Sequence, residues 1–89
     1  MDLGIAGKWA LVCGASKGLG RGCAEALAAE GVNVLLVARG AEALAATAGE
    51  IQAANAGVEV QSVAADVTTP EGRAAVFAMR SDFDIVVTN

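Results

Sequence analysis

The residues whose types and spacing most clearly indicate ligand binding form one glycine-rich run, Cys13-Gly14-Ala15-Ser16-Lys17-Gly18-Leu19-Gly20. Glycines at this spacing let a backbone turn tightly, approach a bound group closely and pack a helix against a neighbouring strand. An apolar segment precedes the run and a segment of helical periodicity follows it. The first amide groups of such a helix are unpaired and carry a partial positive charge, which favours a phosphate group. The run therefore predicts a phosphate-binding loop that includes Gly14, Gly18 and Gly20.

The predicted order of strands and helices places three basic side chains near this loop. Lys17 is inside the glycine run, Arg21 begins the helix after it, and Arg39 directly follows the second apolar segment. A guanidinium binds phosphate through two parallel hydrogen bonds, and a lysine adds a point charge. We therefore expect Arg39 and Lys17 to bind a phosphorylated ligand. Arg21 has a second interpretation, as an ordinary solvated residue on the helix surface.

Four apolar segments alternate with three stretches of helical periodicity. The apolar segments are predicted as strands over 8–13, 32–38, 58–64 and 83–88. The third segment alternates apolar and polar residues, which indicates a strand at the edge of a sheet, whereas the others are mostly continuous and indicate strands covered on both faces. Alternating strands and helices with short connections predict an α/β fold with a parallel sheet and helices on both sides.

The helices have predicted faces and ends. The first, over 18–30, is followed by Gly31 as a C-terminal cap, and the second ends at Ala56-Gly57. Their predicted apolar stripes are Leu19, Cys23, Ala26 and Leu27 in the first helix and Leu44, Ala48, Ile51 and Asn55 in the second. The third helix has two possible starts, a capping box of Thr68 with Glu71 or an N-cap at Thr69 before Pro70, and continues through Val76, Phe77 and Arg80.

Length and composition exclude several classes of protein. The chain has 89 residues, of which 55% are hydrophobic, and a net charge of −4, which predicts one small folded domain and no disorder. The acidic balance argues against nucleic acid as a partner, and no apolar run reaches the ~20 residues of a membrane span. The chain has no histidine, and Cys13 and Cys23 form no metal or redox motif. We expect no metal, two reduced and buried thiols, and a cytoplasmic protein.

Ordered motifs along nearly the whole chain resemble those of the short-chain dehydrogenase/reductase family. The glycine run resembles the family's T-G-x-x-x-G-x-G loop, with Cys13 where threonine is usual, and matches neither G-x-G-x-x-G nor a P-loop. Asp66-Val67 after the third strand resembles the family's adenine-binding acidic pair. Thr88-Asn89 resembles the start of its Asn-Asn-Ala-Gly motif. Among family members, 3-oxoacyl-(acyl carrier protein) reductases look most similar.

The resemblance implies a Rossmann-type doubly wound parallel sheet, of which the first four strands and three helices are present. It also implies a nicotinamide dinucleotide as cofactor. Because the second strand ends at Val37-Ala38-Arg39 without an acidic residue for the ribose 2′-hydroxyl, NADP(H) is favoured over NAD(H). The cofactor-binding residues that we expect are Gly14, Ser16, Lys17, Gly18, Leu19, Gly20, Arg39, Asp66, Val67 and Asn89.

The resemblance further implies hydride transfer between the cofactor and a small carbonyl or alcohol substrate. In the family a tyrosine acts as general acid/base, assisted by a lysine four residues further on, and the parent protein is expected to form homo-oligomers. This chain has no tyrosine, so no residue is predicted to be catalytic. We therefore expect residues 1–89 to be the N-terminal part of a single dinucleotide-binding domain, a fragment that is inactive alone.

Two other interpretations remain open. A non-catalytic dinucleotide-binding or redox-sensing module would share these motifs, and its whole sequence would lack the Tyr-x-x-x-Lys pair. A methyltransferase-like Rossmann domain would need an acidic residue near the end of the second strand, where Ala38-Arg39 provides none.

Overall fold

A four-stranded parallel sheet with helices on both faces forms the computed structural model, which describes residues 7–15 and 18–88. The elements in chain order are β1 (Trp9–Cys13), α1 (Gly18–Ala29), β2 (Asn33–Ala38), α2 (Ala41–Ala54), β3 (Val60–Ala64), α3 (Pro70–Met79) and β4 (Ile85–Val87). The strand order is β3-β2-β1-β4, and all three pairings are parallel. The predicted fold class and the edge position of the third strand are confirmed.

The two central strands carry the core. All five residues of β1 and four of the six in β2 are buried, as expected for continuous apolar strands covered on both faces. On one face, Val12 and Leu36 pack with residues of α1 and α2, including Leu44. On the other face, Leu11 and Leu35 pack against α3. Helices on both faces make the sheet doubly wound.

The predicted buried stripe of α1, from Leu19 to Leu27, is wrong by one position. The buried residues are Gly20, Ala24 and Ala28, whereas Leu19 is 74% exposed and Leu27 only partly buried. Small residues face the sheet because the start of α1 lies directly against the turn that leaves β1. A large side chain on that face would push the helix away from the strands.

The stripe predicted for α2 is confirmed at its apolar positions. Leu44 and Ile51 are buried, Ala48 is half-buried against the same core, and Asn55 follows the helix as its C-terminal cap. The face is wider than predicted, because Thr47 is also buried.

The start of α3 decides between the two predicted caps. The Thr69 hydroxyl accepts a hydrogen bond from the Gly72 amide at 3.0 Å, and Pro70 occupies the first helical position. Thr69 is therefore the N-cap, and the capping box from Thr68 is wrong. Of the residues predicted to continue the helix, Val76 is buried and Phe77 is 51% exposed.

The amino-terminal end of β1 is fixed by residues near β4. The Asp84 carboxylate accepts a hydrogen bond from the Trp9 amide at 3.0 Å, and the Asp84 amide donates to the Trp9 carbonyl at 2.9 Å. The Arg80 guanidinium lies 4.2 Å from the centre of the Trp9 ring, a cation–π contact. These contacts hold β4 beside β1 at the end of the sheet opposite to the glycine run.

Candidate functional site

The loops that follow β1, β2 and β3 meet at one edge of the sheet. They are joined by main-chain hydrogen bonds from the Gly14 amide to the Val37 carbonyl, 2.8 Å, and from the Ala65 amide to the Ala38 carbonyl, 3.0 Å. Carboxyl ends of parallel strands are where ligands bind in open α/β sheets. A cleft of 740 Å³ lies there, lined by Cys13, Gly14, Val37, Ala38, Arg39, Gly40, Ala43, Ala65, Asp66, Val67 and Thr68.

The three glycines of the predicted loop have three different roles. Gly14 has a φ of 70° and turns the chain out of β1. A Cβ atom at Gly20 would overlap the Gly14 carbonyl oxygen, so Gly20 allows the close packing of α1 on that turn. Gly18 has a φ of 63° at the first position of α1, and a Cβ atom there would meet nothing within 4 Å. The space beside Gly18 is therefore open to an approaching ligand.

Arg39 provides a positive charge at the rim of the cleft. It is exposed and directly follows β2. Within residues 7–15 and 18–88, no side chain or carbonyl forms a hydrogen bond or ion pair with the Arg39 guanidinium. The positive charge of Arg39 helps to lower the pKa of the Asp66 carboxyl, which lines the same cleft. The guanidinium is thus available to an anionic ligand in the cleft.

Asp66 provides a negative charge on the opposite loop. Its Oδ1 atom accepts two hydrogen bonds from Thr68, one from the hydroxyl at 2.6 Å and one from the amide at 2.9 Å. These two bonds, with a smaller contribution from the charge of Arg39, hold the pKa of the Asp66 carboxyl below its usual range. The group is therefore ionised at neutral pH and can only accept hydrogen bonds.

The main chain around Asp66 is held by the start of α3. The Asp66 carbonyl accepts hydrogen bonds from the Thr69 hydroxyl at 2.9 Å and the Thr69 amide at 3.1 Å. The Arg73 guanidinium donates to the Val67 carbonyl at 3.0 Å. A Cβ atom at Gly72 would overlap the Asp66 carbonyl oxygen, so this helix start lies in close contact with the loop.

The structure brings some of the predicted site residues together. Gly14, Arg39, Asp66 and Val67 all line the same cleft. Gly18, Leu19 and Gly20 form the first turn of α1 after the Gly14 turn. The predictions for Ser16, Lys17 and Asn89 lie outside the described residues.

Arg21 and Thr68 lie at the edge of this region, and neither was placed in the site by the sequence analysis without an alternative. Arg21 forms ion pairs with Glu50 at 2.9 Å and Glu25 at 3.5 Å, linking α1 to α2, and it does not line the cleft. Thr68 is a lining residue that the sequence analysis assigned only to a possible helix cap. Part of the signal was present, because an aspartate side chain in a loop often accepts a hydrogen bond from the main chain two residues further on.

The cysteines fulfil the prediction only in part. Both are free, but Cys13 is buried whereas Cys23 is half-buried on α1. Burial raises the pKa of the Cys13 thiol, which keeps it protonated and poorly reactive at the floor of the cleft. Among the described residues no group of three or more histidine, cysteine, aspartate or glutamate side chains lies close enough to hold a metal ion. The helices within the same residues are all too short or too polar to cross a membrane.

Comparison with known proteins identifies the family to which the chain belongs. The sequence model of the short chain dehydrogenase family matches residues 8–89. The chain belongs to the short-chain dehydrogenase/reductase family. The resemblance seen in the motifs is thereby confirmed, and the doubly wound sheet is the family's Rossmann-type fold.

Three similar proteins of the short-chain dehydrogenase/reductase family are reductases or dehydrogenases. The L-sorbose reductase of Gluconobacter frateurii, solved with NADPH and L-sorbose, is 44% identical and superimposes with a TM-score of 0.90 over 100% of this chain and 35% of its own. The 7beta-hydroxysteroid dehydrogenase of Collinsella aerofaciens is 40% identical over 79 residues, 89% of this chain and 30% of its own. A very-long-chain 3-oxoacyl-CoA reductase of Coccidioides immitis is 44% identical over 65 residues, which are 73% of this chain and 19% of its own. The chain thus spans about a third or less of the length of these relatives.

Proposed function

We propose that the chain forms the NADP(H)-binding part of an oxidoreductase that transfers hydride between a nicotinamide cofactor and a small carbonyl or alcohol substrate. Residues 1–89 would then be the N-terminal part of one dinucleotide-binding domain. The observation that carries the proposal is the cleft in which Gly14, Arg39 and Asp66 come together at the carboxyl ends of β1, β2 and β3.

The groups around the cleft fit a dinucleotide. The left-handed glycines and the start of α1 suit a pyrophosphate, because main-chain amides there can approach it closely. The cleft volume of 740 Å³ lies within the range of roughly 300–1,000 Å³ that is usual for ligand pockets. The Asp66 carboxylate can accept a hydrogen bond from the amino group of adenine, as the family resemblance implies.

Arg39 supports a preference for the phosphorylated cofactor. Its guanidinium, which has no hydrogen-bond or ion-pair partner within residues 7–15 and 18–88, lies at the end of β2, the position from which a ribose 2′-phosphate is bound in this fold. No carboxylate follows β2 to bind a free 2′-hydroxyl, since Gly40 and Ala41 come next. The reductase solved with NADPH at 44% identity is consistent with the same choice.

The chemistry of hydride transfer would need groups from outside these residues. This chain's own residues would bind and orient the cofactor, which when bound would donate hydride to a carbonyl or accept it from an alcohol. A short-chain dehydrogenase/reductase uses a tyrosine as general acid/base, and the chain contains none. We therefore assign no catalytic residue to positions 1–89. The homo-oligomeric state and the cytoplasmic location expected from the sequence remain predictions.

The proposal is tested by exchanging the charge at Arg39. In the full natural polypeptide that contains these residues, Arg39→Asp should weaken NADPH binding by about 10- to 150-fold, because a charged hydrogen bond contributes about 1.5–3 kcal/mol. NADH binding should be unchanged or tighter, since the new carboxylate can accept from a ribose 2′-hydroxyl. Dissociation constants are measured by fluorescence titration of the reduced cofactors.

Lys8→Asp provides the matched control. It changes the net charge by the same amount, and Lys8 is exposed just before β1, at the opposite end of the sheet from the cleft. The control variant should bind NADPH as the unchanged protein does. If Arg39→Asp binds NADPH with unaltered affinity, or if both variants lose affinity equally, Arg39 does not bind the 2′-phosphate.

A further inference from the structure

We propose that Thr68 is a positioning residue for the adenine end of the cofactor, because its two hydrogen bonds to Asp66 Oδ1 fix the carboxylate so that Oδ2 is presented to the base. This proposal rests on the proposed function, and it assigns to Thr68 a role that acts through the Asp66 carboxylate. The carboxylate, held in one rotamer, would not have to be ordered when the nucleotide binds.

The geometry divides the two oxygens of the carboxylate between two tasks. Thr68 donates to Oδ1 from its hydroxyl at 2.6 Å and from its amide at 2.9 Å, short bonds typical of a charged acceptor. Within residues 7–15 and 18–88, no donor lies within hydrogen-bond distance of Oδ2. Asp66 and Thr68 both line the cleft, so the free oxygen belongs to the wall that a bound base would contact.

The charges around Asp66 favour the ionised state that this role needs. Arg39, at the end of β2, faces the carboxylate and helps to lower its pKa. Arg73, on α3, is hydrogen bonded to the neighbouring Val67 carbonyl and not to the carboxylate. Among the described residues, β1 contributes the buried Cys13 thiol to the lining of the cleft, and its raised pKa keeps it neutral. Loss of the Thr68 hydroxyl should therefore raise the pKa of Asp66 while Arg39 still favours the charged form.

Thr69, the next residue, is also a threonine but has a different structural role. Thr69 also contacts Asp66, but its hydroxyl donates to the main-chain carbonyl and caps α3. Loss of the Thr69 hydroxyl should destabilise the helix start, whatever the side chain at position 66. Loss of the Thr68 hydroxyl should matter only while the Asp66 carboxylate is present.

The experiment measures binding without turnover, with adenosine 2′,5′-bisphosphate as the probe for the adenine half of the cofactor. In the full natural polypeptide, Thr68→Val should weaken binding of the probe by about three- to tenfold, and Thr68→Ser, which keeps the hydroxyl, should restore it to within about twofold. Reduced nicotinamide mononucleotide, which lacks adenine, should bind all three proteins equally. Isothermal titration calorimetry gives each dissociation constant.

A double-mutant cycle separates positioning from a general structural effect. In an Asp66→Ala background, Thr68→Val should cause no further loss of affinity, because the carboxylate that it orients is gone. Thr69→Val should lower the melting temperature, and any loss of affinity that it causes should persist in the Asp66→Ala background. Circular dichroism melting curves confirm that each variant is folded at the temperature of the titration.

The pH dependence gives an independent readout. Asp66 binds the base as a carboxylate, and Thr68 holds its pKa low, so affinity is kept above that pKa and lost as the pH falls through it. The ratio of the Thr68→Val to the unchanged dissociation constant should therefore rise as the pH is lowered from about 8 toward about 4, near the usual pKa of an aspartate. Titration of the probe's phosphates affects both proteins and cancels in this ratio.

The outcomes distinguish the two proposals. If the unchanged protein binds neither NADPH nor adenosine 2′,5′-bisphosphate, the proposed function is wrong. If it binds both and Thr68→Val binds the probe equally well, the positioning role of Thr68 is wrong. The same conclusion follows if the deficit of Thr68→Val remains undiminished in the Asp66→Ala background.

Discussion

Around the cleft, backbone conformation determines which residue type fits a position more than side-chain chemistry does. Gly18 illustrates this point, because a Cβ atom would meet no neighbour, yet its φ of 63° lies where L side chains are rarely found. The open space and the left-handed backbone together match a place where a phosphate approaches the main chain. The glycine spacing predicted a phosphate-binding loop that includes both Gly18 and Gly20. It could not show that the two have different roles, and that Gly20 is needed for packing.

Gly18→Ala should therefore lower both stability and cofactor affinity. The left-handed conformation should cost about 1–2 kcal/mol of unfolding free energy, and the added methyl group would occupy the space proposed for the pyrophosphate. Gly22→Ala is the matched control, since Gly22 lies on α1 with open space around it and an ordinary φ. There the change should stabilise the helix by about 0.4–1 kcal/mol and leave NADPH affinity unchanged. Urea unfolding and NADPH titration of both variants check these values, and an unaltered NADPH affinity in Gly18→Ala would remove Gly18 from the site.

At the scale of elements, the sequence predicted which strands and helices exist, and their order, better than it predicted which face of a helix is buried. Each strand was found within its predicted segment. The continuous apolar runs of β1 and β2 correctly indicated buried parallel strands, whereas β4, also predicted to be covered on both faces, is partly exposed. The face of α1 was wrong, because counting apolar residues at helical spacing favours Leu19 over the small residues Gly20 and Ala24. Which face of a helix is buried depends on how closely it approaches the sheet, and that distance is a tertiary property. The cap of α3 was undecided for a related reason, since Thr68 and Thr69 both carry a hydroxyl and only the path of the chain selects one.

Gly20→Ala tests the close packing of α1. The added Cβ would overlap the Gly14 carbonyl oxygen, which is main chain and cannot swing aside. Moving the helix should cost about 1–3 kcal/mol, the usual range for overpacking a core. Gly22→Ala again serves as the control, because the same chemical change two residues later meets nothing. Denaturant midpoints and slopes in the full natural polypeptide give the difference, and equal stability of the two variants would show that α1 is not held by this contact.

For the whole molecule, the motifs predicted the family and the cleft, because spacing that places Gly14, Arg39 and Asp66 at strand ends also places them together in space. What the spacing could not show is how residues outside the motifs support them. The Thr68 bonds to Asp66, the Arg73 bond to Val67 and the contact at Gly72 arise from the path of the loop before α3. They connect an element on one face of the sheet to the site at its edge.

The exposed apolar surface of the molecule leads to a last prediction, about an isolated polypeptide of residues 1–89. Among the described residues β4 has β1 as its one neighbour, and Val86 is 57% exposed; Phe77 and Met79 of α3 are also exposed, at 51% and 46%. An uncharged apolar edge strand pairs readily with other chains. We expect this polypeptide to self-associate, and Val86→Lys to shift it toward monomer, because a charge on an edge strand opposes pairing.

The isolated polypeptide should also show no NADPH oxidation with a ketone substrate, since it lacks the family's tyrosine and with it about a 10²- to 10⁴-fold contribution from general acid catalysis. Size-exclusion chromatography with light scattering and an absorbance assay at saturating NADPH provide the measurements. A monomeric, cooperatively folded polypeptide with measurable turnover would contradict both expectations and would place the acid/base group among residues 1–89.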